Sequence, residues 1–471
     1  MEQLGGLDAM FLSCETPTMH MHVCGLLILD TATMGPGDPF DRITAMLEAR
    51  LPGIAPMRHR LSTVPLNLGR PFWTDDPDLR VDRHLRRVLL DPPGDDRQLA
   101  ELAGEFCSTQ LRRDRPLWEM LMVEGLPDKR IALVVKMHHA TIDGITGTNL
   151  LGQLFDLSPE GAAVEPNDAA APLRPPNPFE LLGHTFLYRL RAPADLVKLV
   201  PETIGRIGGA VWRAARGDGG PDRIAVPFTA PRTSFNASVS GRRSVAFVDV
   251  SLEEVKAVKQ TVGATVNDVL TAVVSSALRR YLKELGELPD RPLIAAEPVS
   301  VHGQAGAQHG TTQVSVMFIT LPTDVADPLE RLRSSVAADT LAKEFHEQLG
   351  ADTLLQWTEH LWLNVFSLGA HLYSRFHGAD HHPVVHNLIL SNVPGPPIPL
   401  YLAGARVVGI YPLGPVMDGA GLNVTVLSQE NRVGFGIMAC SALVPDAWRI
   451  ADAIPDALHE MAKAVASADS I

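Results

Sequence analysis

The sequence predicts a mixed α/β chain built as two layered domains. Three observations carry that expectation. Apolar runs of strand length alternate with amphipathic helical stretches in both halves. Two Pro/Gly-rich stretches interrupt the pattern near the middle. And 471 residues exceed what a single core of ordinary size holds.

Taken along the chain, strands are expected at Val23–Leu29, Glu119–Leu126, Ile131–Met137, Ser244–Val250, Leu293–Pro298, Gln313–Leu321, Asn387–Asn392, Leu422–Ser428 and Val433–Ala439. Helices are expected at Asp38–Arg50, Gln98–Leu111, Ile145–Phe155, Val266–Leu285, Leu329–Gln348, Leu354–Phe376 and Asp446–Val465. Thr265 fits the N-cap of the Val266 helix, with Asp268 as its acidic third residue. Irregular connections are read at Gly161–Pro178 and Gly217–Pro231. Between them Val197, Val200, Ile204, Ile207 and Val211 recur at helical spacing, with six basic residues against three acids from Phe179 to Arg216. Such a helix either packs its apolar face on a domain or lies on an anionic lipid surface. The division that follows is residues 1–160, a helical crossover at 161–240, and 241–471.

Composition excludes several classes. The chain is 45% hydrophobic and 20% charged, as globular proteins are, with a formal net charge of −13. An acidic chain without a Lys/Arg-rich run is not expected to bind nucleic acid. Cys14, Cys24, Cys107 and Cys440 stand far apart, so neither a zinc site nor a redox pair is suggested; reduced thiols in a cytoplasmic protein are expected. The N-terminal residues lack a basic segment followed by an apolar run, and no stretch has the ~18 apolar residues that a bilayer span needs.

The sharpest chemical signal is His138-His139-Ala140-Thr141-Ile142-Asp143-Gly144, directly after the apolar run Ile131–Met137. Successive strand residues point to opposite faces, so only one of the two histidines can face a given pocket. Histidine titrates near neutrality and can take a proton from a hydroxyl. A thioester needs little activation beyond donors for its developing oxyanion. One histidine and binding pockets therefore suffice for direct acyl transfer. Asp143, at a helix start, suits a carboxylate, and Gly144 permits a tight turn. No G-x-S-x-G elbow is present, so a covalent acyl-enzyme is not suggested. A metal held by His138, His139 and Asp143 is disfavoured, because neighbouring histidines that diverge chelate poorly. His371, His377, His381, His382 and His386 crowd one later segment, where a surface or core role is the simpler reading. His20 and His22 share a strand face and read as packing near a pocket.

His138–Gly144 resembles the HHxxxDG motif of the CoA-dependent acyltransferase superfamily. More particular landmarks surround it: Leu7–Leu12 (LDAMFL), Arg58–Leu61 (RHRL), Arg115–Glu119 (RPLWE), Asn267–Leu270 (NDVL), Ser391–Pro396 (SNVPGP) and Gly421–Thr425 (GLNVT). In this order they resemble the bacterial wax ester synthase/acyl-CoA:diacylglycerol acyltransferase family over nearly the whole chain. Gln429 departs from the pattern, since an aromatic is expected after Ser428. The resemblance implies two chloramphenicol-acetyltransferase-like domains with a tunnel between them. It implies His139 as the base, with His138 and Asp143 holding the site together. Gly144, Asn267 and Asp268 would support the site, and Pro116, Leu117 and Trp118 would brace an acyl channel. The donor would be acyl-CoA, the acceptor diacylglycerol or a long-chain alcohol, with no metal or bound cofactor. Peripheral contact with a membrane or lipid droplet is a further expectation; the oligomeric state is not read from the sequence. Three other readings stay open: a carrier-protein thioester as donor, a lipid-binding homologue without catalysis, and a metal hydrolase.

Overall fold

The structure, a computed structural model, describes residues 2–65, 69–141, 152–161, 173, 225–300, 314–349, 358 and 362–468. In chain order these form β1 (Glu2–Gln3), α1 (Gly6–Cys14), β2 (His22–Asp30), α2 (Pro39–Arg50), α3 (Ala55–Arg58), β3 (His59–Ser62), β4 (Phe72–Asp75), β5 (Leu85–Leu89), α4 (Asp96–Cys107), β6 (Trp118–Glu124) and β7 (Arg130–His138). Then come β8 (Arg243–Ser251), α5 (Leu252–Val262), α6 (Val266–Leu285), β9 (Leu293–Ser300), β10 (Val314–Leu321), α7 (Pro328–Leu349), α8 (Leu363–Arg375), β11 (Leu388–Pro394), β12 (Tyr401–Leu402), β13 (Ala405–Leu413), β14 (Leu422–Gln429), β15 (Arg432–Cys440), α9 (Trp448–Ala451) and α10 (Ala453–Ala468). The Phe179–Arg216 segment, and the Ile145–Phe155 helix up to residue 151, lie outside the described residues.

Two six-stranded mixed sheets organise the molecule, in the orders β12-β13-β2-β7-β6-β5 and β10-β9-β11-β14-β15-β8. A small sheet, β1-β4-β3, lies beside them. Strand β7 of the first sheet is buried on both faces, which is why Ile131–Met137 reads as an apolar run interrupted only by Lys136. Ile131, Leu133 and Met137 of β7 pack into one core with Ile43 and Leu47 of α2. Ala132 and Val134 pack into another with Leu99 and Ala103 of α4 and Val245 and Phe247 of β8. The second sheet is covered by α5, α6, α7 and α10, whose apolar faces meet Val424, Phe435 and Ile437 in a third core. Fully burying each such side chain contributes about 1.5–3 kcal/mol, so these three cores dominate the folding energy.

Two strands from beyond residue 241 thus join the first sheet. β13 pairs antiparallel with β2, with a bulge at Val408. It also crosses close over β15. A Cβ on Gly436 would stand 1.8 Å from the Pro412 carbonyl oxygen, so the side chain is absent there because another backbone occupies the space. Helix α6 begins with the expected capping box: Thr265 accepts from the Asp268 amide, and Asp268 accepts from the Thr265 amide. It ends at Gly286, which has φ of 72° and closes the helix in the left-handed conformation. The stretch expected as one helix, Asp446–Val465, is two. Pro455 has no N–H to offer the carbonyl four residues back, so the helix restarts at Ala453 with proline in its first turn.

Gly436→Ala should force β13 and β15 apart. The expected result is a loss of about 1–3 kcal/mol of stability, seen as a lower urea midpoint.

Candidate active site

Strand β7 delivers the two histidines to its C-terminal end. Its partner β2 sets His22 directly opposite His138. The strand then closes into a single 3-10 turn, His139–Thr141. Three hydrogen bonds fix this corner. The His138 amide donates to the Leu117 carbonyl (3.0 Å), the His139 amide to the Met21 carbonyl (2.9 Å), and the Thr141 hydroxyl to the His138 carbonyl (2.7 Å). The divergence expected of adjacent strand residues is realised: His138 is fully buried, and His139 is half-buried.

His138 is held by polar groups. Its Nδ1 accepts from the Ala140 amide at 3.0 Å, so the proton of the neutral ring sits on Nε2. That nitrogen faces Glu15 at 3.8 Å, and His22 Nε2 faces the same carboxylate at 3.7 Å. Glu15 is buried and ion-paired with Arg113, whose guanidinium also donates to the Leu12 carbonyl. Burial pushes the His138 imidazole down to about 3 despite the opposing pull of Glu15. Burial, with the nearby Lys136 ammonium, likewise keeps His22 well below the ordinary range.

His139 is held by an apolar neighbour. Its ring stacks on Phe11 of α1, with centroids 4.0 Å apart and planes at 26°. Burial pushes it down to about 4, so the ring is neutral at physiological pH. Its Nδ1 is buried with no hydrogen-bond partner among the described residues. The arrangement can supply one neutral imidazole as a proton acceptor, beside a second that is locked in place.

The other expected residues divide. Leu117 packs with Leu4, Ala9, Leu12, Leu111 and Ala140, directly beneath the histidine turn. Trp118 is fully buried in the first sheet; its Nε1 donates to the Met57 carbonyl at 2.7 Å and its ring stacks on His84 at 4.2 Å. Pro116 is buried and turns the chain into β6, its carbonyl accepting from the Trp118 amide. Asp143 and Gly144 lie outside the described residues. Asn267 and Asp268 sit at the start of α6, in a cluster of their own. Asn392 donates to Asn267 Oδ1 at 3.0 Å, joining the NDVL and SNVPGP landmarks. Asp268, Asp339 and Glu297 are all buried, and Lys343 donates to Asp339 at 2.6 Å. Burial and the nearby Asp339 raise Glu297 to about 7. Among the described residues no hydrogen bond or ion pair joins this cluster to the histidines. Among them, too, no three His, Cys, Asp or Glu side chains are grouped so as to hold a metal.

Sequence reasoning missed Glu15, Arg113 and Lys136. Lys136 is fully buried in β7, and its ammonium donates to the Phe106 and Thr109 carbonyls and pairs with Glu119 at 3.1 Å. An isolated lysine inside an apolar run was the available signal, since burying a charge demands partners. Glu15 carried none, because Arg113 and His138 lie about a hundred residues or more away along the chain.

The family model of the wax ester synthase/diacylglycerol acyltransferase catalytic domain matches residues 4–270, and that of the C-terminal domain of the same family matches residues 311–462. A putative diacylglycerol O-acyltransferase of Mycobacterium tuberculosis is 39% identical over 462 residues, covering 98% of this chain and 90% of the relative. A probable diacylglycerol O-acyltransferase of the same organism is 34% identical, covering 97% and 98%. Among solved structures, the wax ester synthase/diacylglycerol acyltransferase from Marinobacter aquaeolei VT8 matches with a TM-score of 0.69 and 27% identity, over 98% of this chain and all of that one. The first condensation domain of the calcium-dependent antibiotic synthetase shares the fold at 16% identity, with a TM-score of 0.57 over 99% and 96% of the two chains.

The raised Glu297 has a consequence for stability. Its folded value exceeds the ordinary one, so the folded state binds the proton more tightly, and stability falls as pH rises from about 4.5 to about 7. Glu297→Gln should remove that slope. Relative to wild type it should gain roughly 2–3 kcal/mol on going from pH 5 to pH 8, measured by urea unfolding at both values.

Proposed function

The chain belongs to the wax ester synthase/diacylglycerol acyltransferase family, and from its site we propose how its own residues carry the reaction. It is an O-acyltransferase that moves an acyl group from acyl-CoA to the hydroxyl of diacylglycerol or of a long-chain alcohol. His139 is the general base. The observation that supports this role is the pairing of a fully buried, hydrogen-bonded His138 with a half-buried, neutral His139 at the same strand end.

The steps balance without a covalent acyl-enzyme. His139 takes the hydroxyl proton as the alcohol oxygen attacks the thioester carbon. The tetrahedral oxyanion collapses, the C–S bond breaks, and the imidazolium returns the proton to the departing CoA thiolate. An imidazole held near pH 4 is too weak a base to ionise an alcohol in a separate step, so proton transfer is concerted with C–O bond formation. His138 acts through structure: with Nδ1 accepting from Ala140 and Nε2 facing Glu15, it fixes the turn that presents His139. Asp143 and Gly144 support the same histidine pair, while Asn267 and Asp268 support the second half of the molecule. Pro116, Leu117 and Trp118 brace the wall from which an acyl channel runs, since Leu117 packs beneath the turn and Trp118 into the first sheet. An apolar channel suits a long acyl chain, at about 0.8 kcal/mol for each buried methylene. On this reading acyl-CoA is a substrate, no further cofactor is needed, and the enzyme works in the cytoplasm at the edge of a lipid phase.

The test is CoA release from palmitoyl-CoA with diacylglycerol, hexadecanol or no acceptor. Acceptor-dependent release is expected from the wild type. With His139→Ala it should fall by roughly 10²–10⁴-fold. Near wild-type turnover in the variant contradicts the assignment of the base.

A further inference from the structure

Helix α8 presents an apolar face to solvent. Trp362, Val365, Leu368, Leu372 and Phe376 are each at least 44% exposed, and no residue of the helix is buried. At 3.6 residues per turn these five side chains fall within an arc of about 120°. The opposite side is the one that packs. Leu363 joins the small core beneath the histidine turn, and the Ser374 hydroxyl lies 2.9 Å from that of Thr18. The helix is therefore seated on α1, whose Phe11 stacks on His139, with its larger apolar side chains turned outward.

Two further observations say what the face meets. First, the chain carries 54 acids against 41 lysines and arginines, yet no Asp or Glu occurs from His360 to Ala379, where Arg375, His360, His371 and His377 stand. An acidic protein is repelled by an anionic lipid surface, and a stretch without carboxylates is where that repulsion is weakest. Second, Phe228 continues the patch. It is 58% exposed and is held at φ of 69°, a conformation that a bulky residue adopts only under constraint. Its ring meets His382 edge-on, and His382 in turn shares a 2.6 Å hydrogen bond with the Tyr373 hydroxyl of α8.

We propose that this face of α8, extended by Phe228, docks the enzyme on a lipid surface bearing anionic headgroups. The helix lies in the plane of that surface: 13 residues span about 20 Å, short of the roughly 30 Å hydrocarbon core. No single helix among the described residues is long and apolar enough to cross a membrane. Docking here sets α1 and the histidine turn at the boundary where a water-insoluble acceptor resides. That purpose rests on the acyltransfer reading; the docking itself does not.

Flotation of the full chain with vesicles of phosphatidylcholine and phosphatidylglycerol tests it. Wild type should float, and the double variant Leu368→Glu/Phe376→Glu should lose at least about tenfold in vesicle affinity. Leu89→Glu, at an exposed leucine on β5, should float like wild type. The double variant should keep its turnover with a short acyl-CoA and a water-soluble alcohol while losing about tenfold on vesicle-borne diacylglycerol. Equal flotation of wild type and double variant overturns the proposal. So does light scattering that finds a wild-type dimer split by the double variant, since a second copy would then cover the face. A wild type that floats but is inert on soluble substrates removes the acyltransfer reading and leaves the docking surface standing.

Discussion

The register between β2 and β7 is the constraint on which the site depends. With His22 opposite His138, the even positions of β7 face α4 and Glu15, and the odd ones face α2. A slip of one residue would exchange the faces, carrying Lys136 and His138 away from their polar partners into the apolar core against α2. The Met21 carbonyl, last before β2 begins, accepts the His139 amide and so ends the strand at the right residue. What anchors the register is a set of polar groups that tolerate no other partner. Lys136 takes the Phe106 and Thr109 carbonyls and Glu119, and His138 accepts the Ala140 amide at its Nδ1. Leaving any one of these groups buried and unsatisfied would cost about 1–3 kcal/mol or more.

The two histidines show how environment divides labour between identical side chains. Both are pushed to the neutral form by burial. One commits its Nδ1 to the Ala140 amide, turns its Nε2 toward Glu15 at 3.8 Å, and becomes part of the scaffold. The other is gripped through its π face by Phe11, a contact that orients a ring without occupying its lone pair. A base must have a free lone pair, and the stacking contact leaves it one.

Much of this was legible in the sequence, for physical reasons that differ by element. All nine expected strands are present, because strands buried on both faces must be continuous apolar runs. The capping box of α6 was legible because it is local. Strand β13 was not: Gly409 and Pro412 disguise it, and both are tolerated because the strand bulges near one and is an edge at the other. Helix α1 was hidden behind a Gly-Gly start and appeared only as the landmark Leu7–Leu12. Its physical role, placing Phe11 on His139 and Glu15 under His138, arises from contacts across more than a hundred residues. No local pattern encodes those. The carboxylate cluster around Asn267 was half visible, since its Asn and Asp are adjacent in sequence while Glu297 and Asp339 come from other elements.

A neutral His139 acts as the base, and the pH dependence of kcat/KM reports that group in the free enzyme. With palmitoyl-CoA and hexadecanol, and folding checked at each pH, the profile should stay level from pH 8 down to about 5 and fall through a midpoint near 4. A midpoint at about 6.5, the value of an ordinary histidine, would contradict the buried, Phe11-stacked imidazole as the catalytic base.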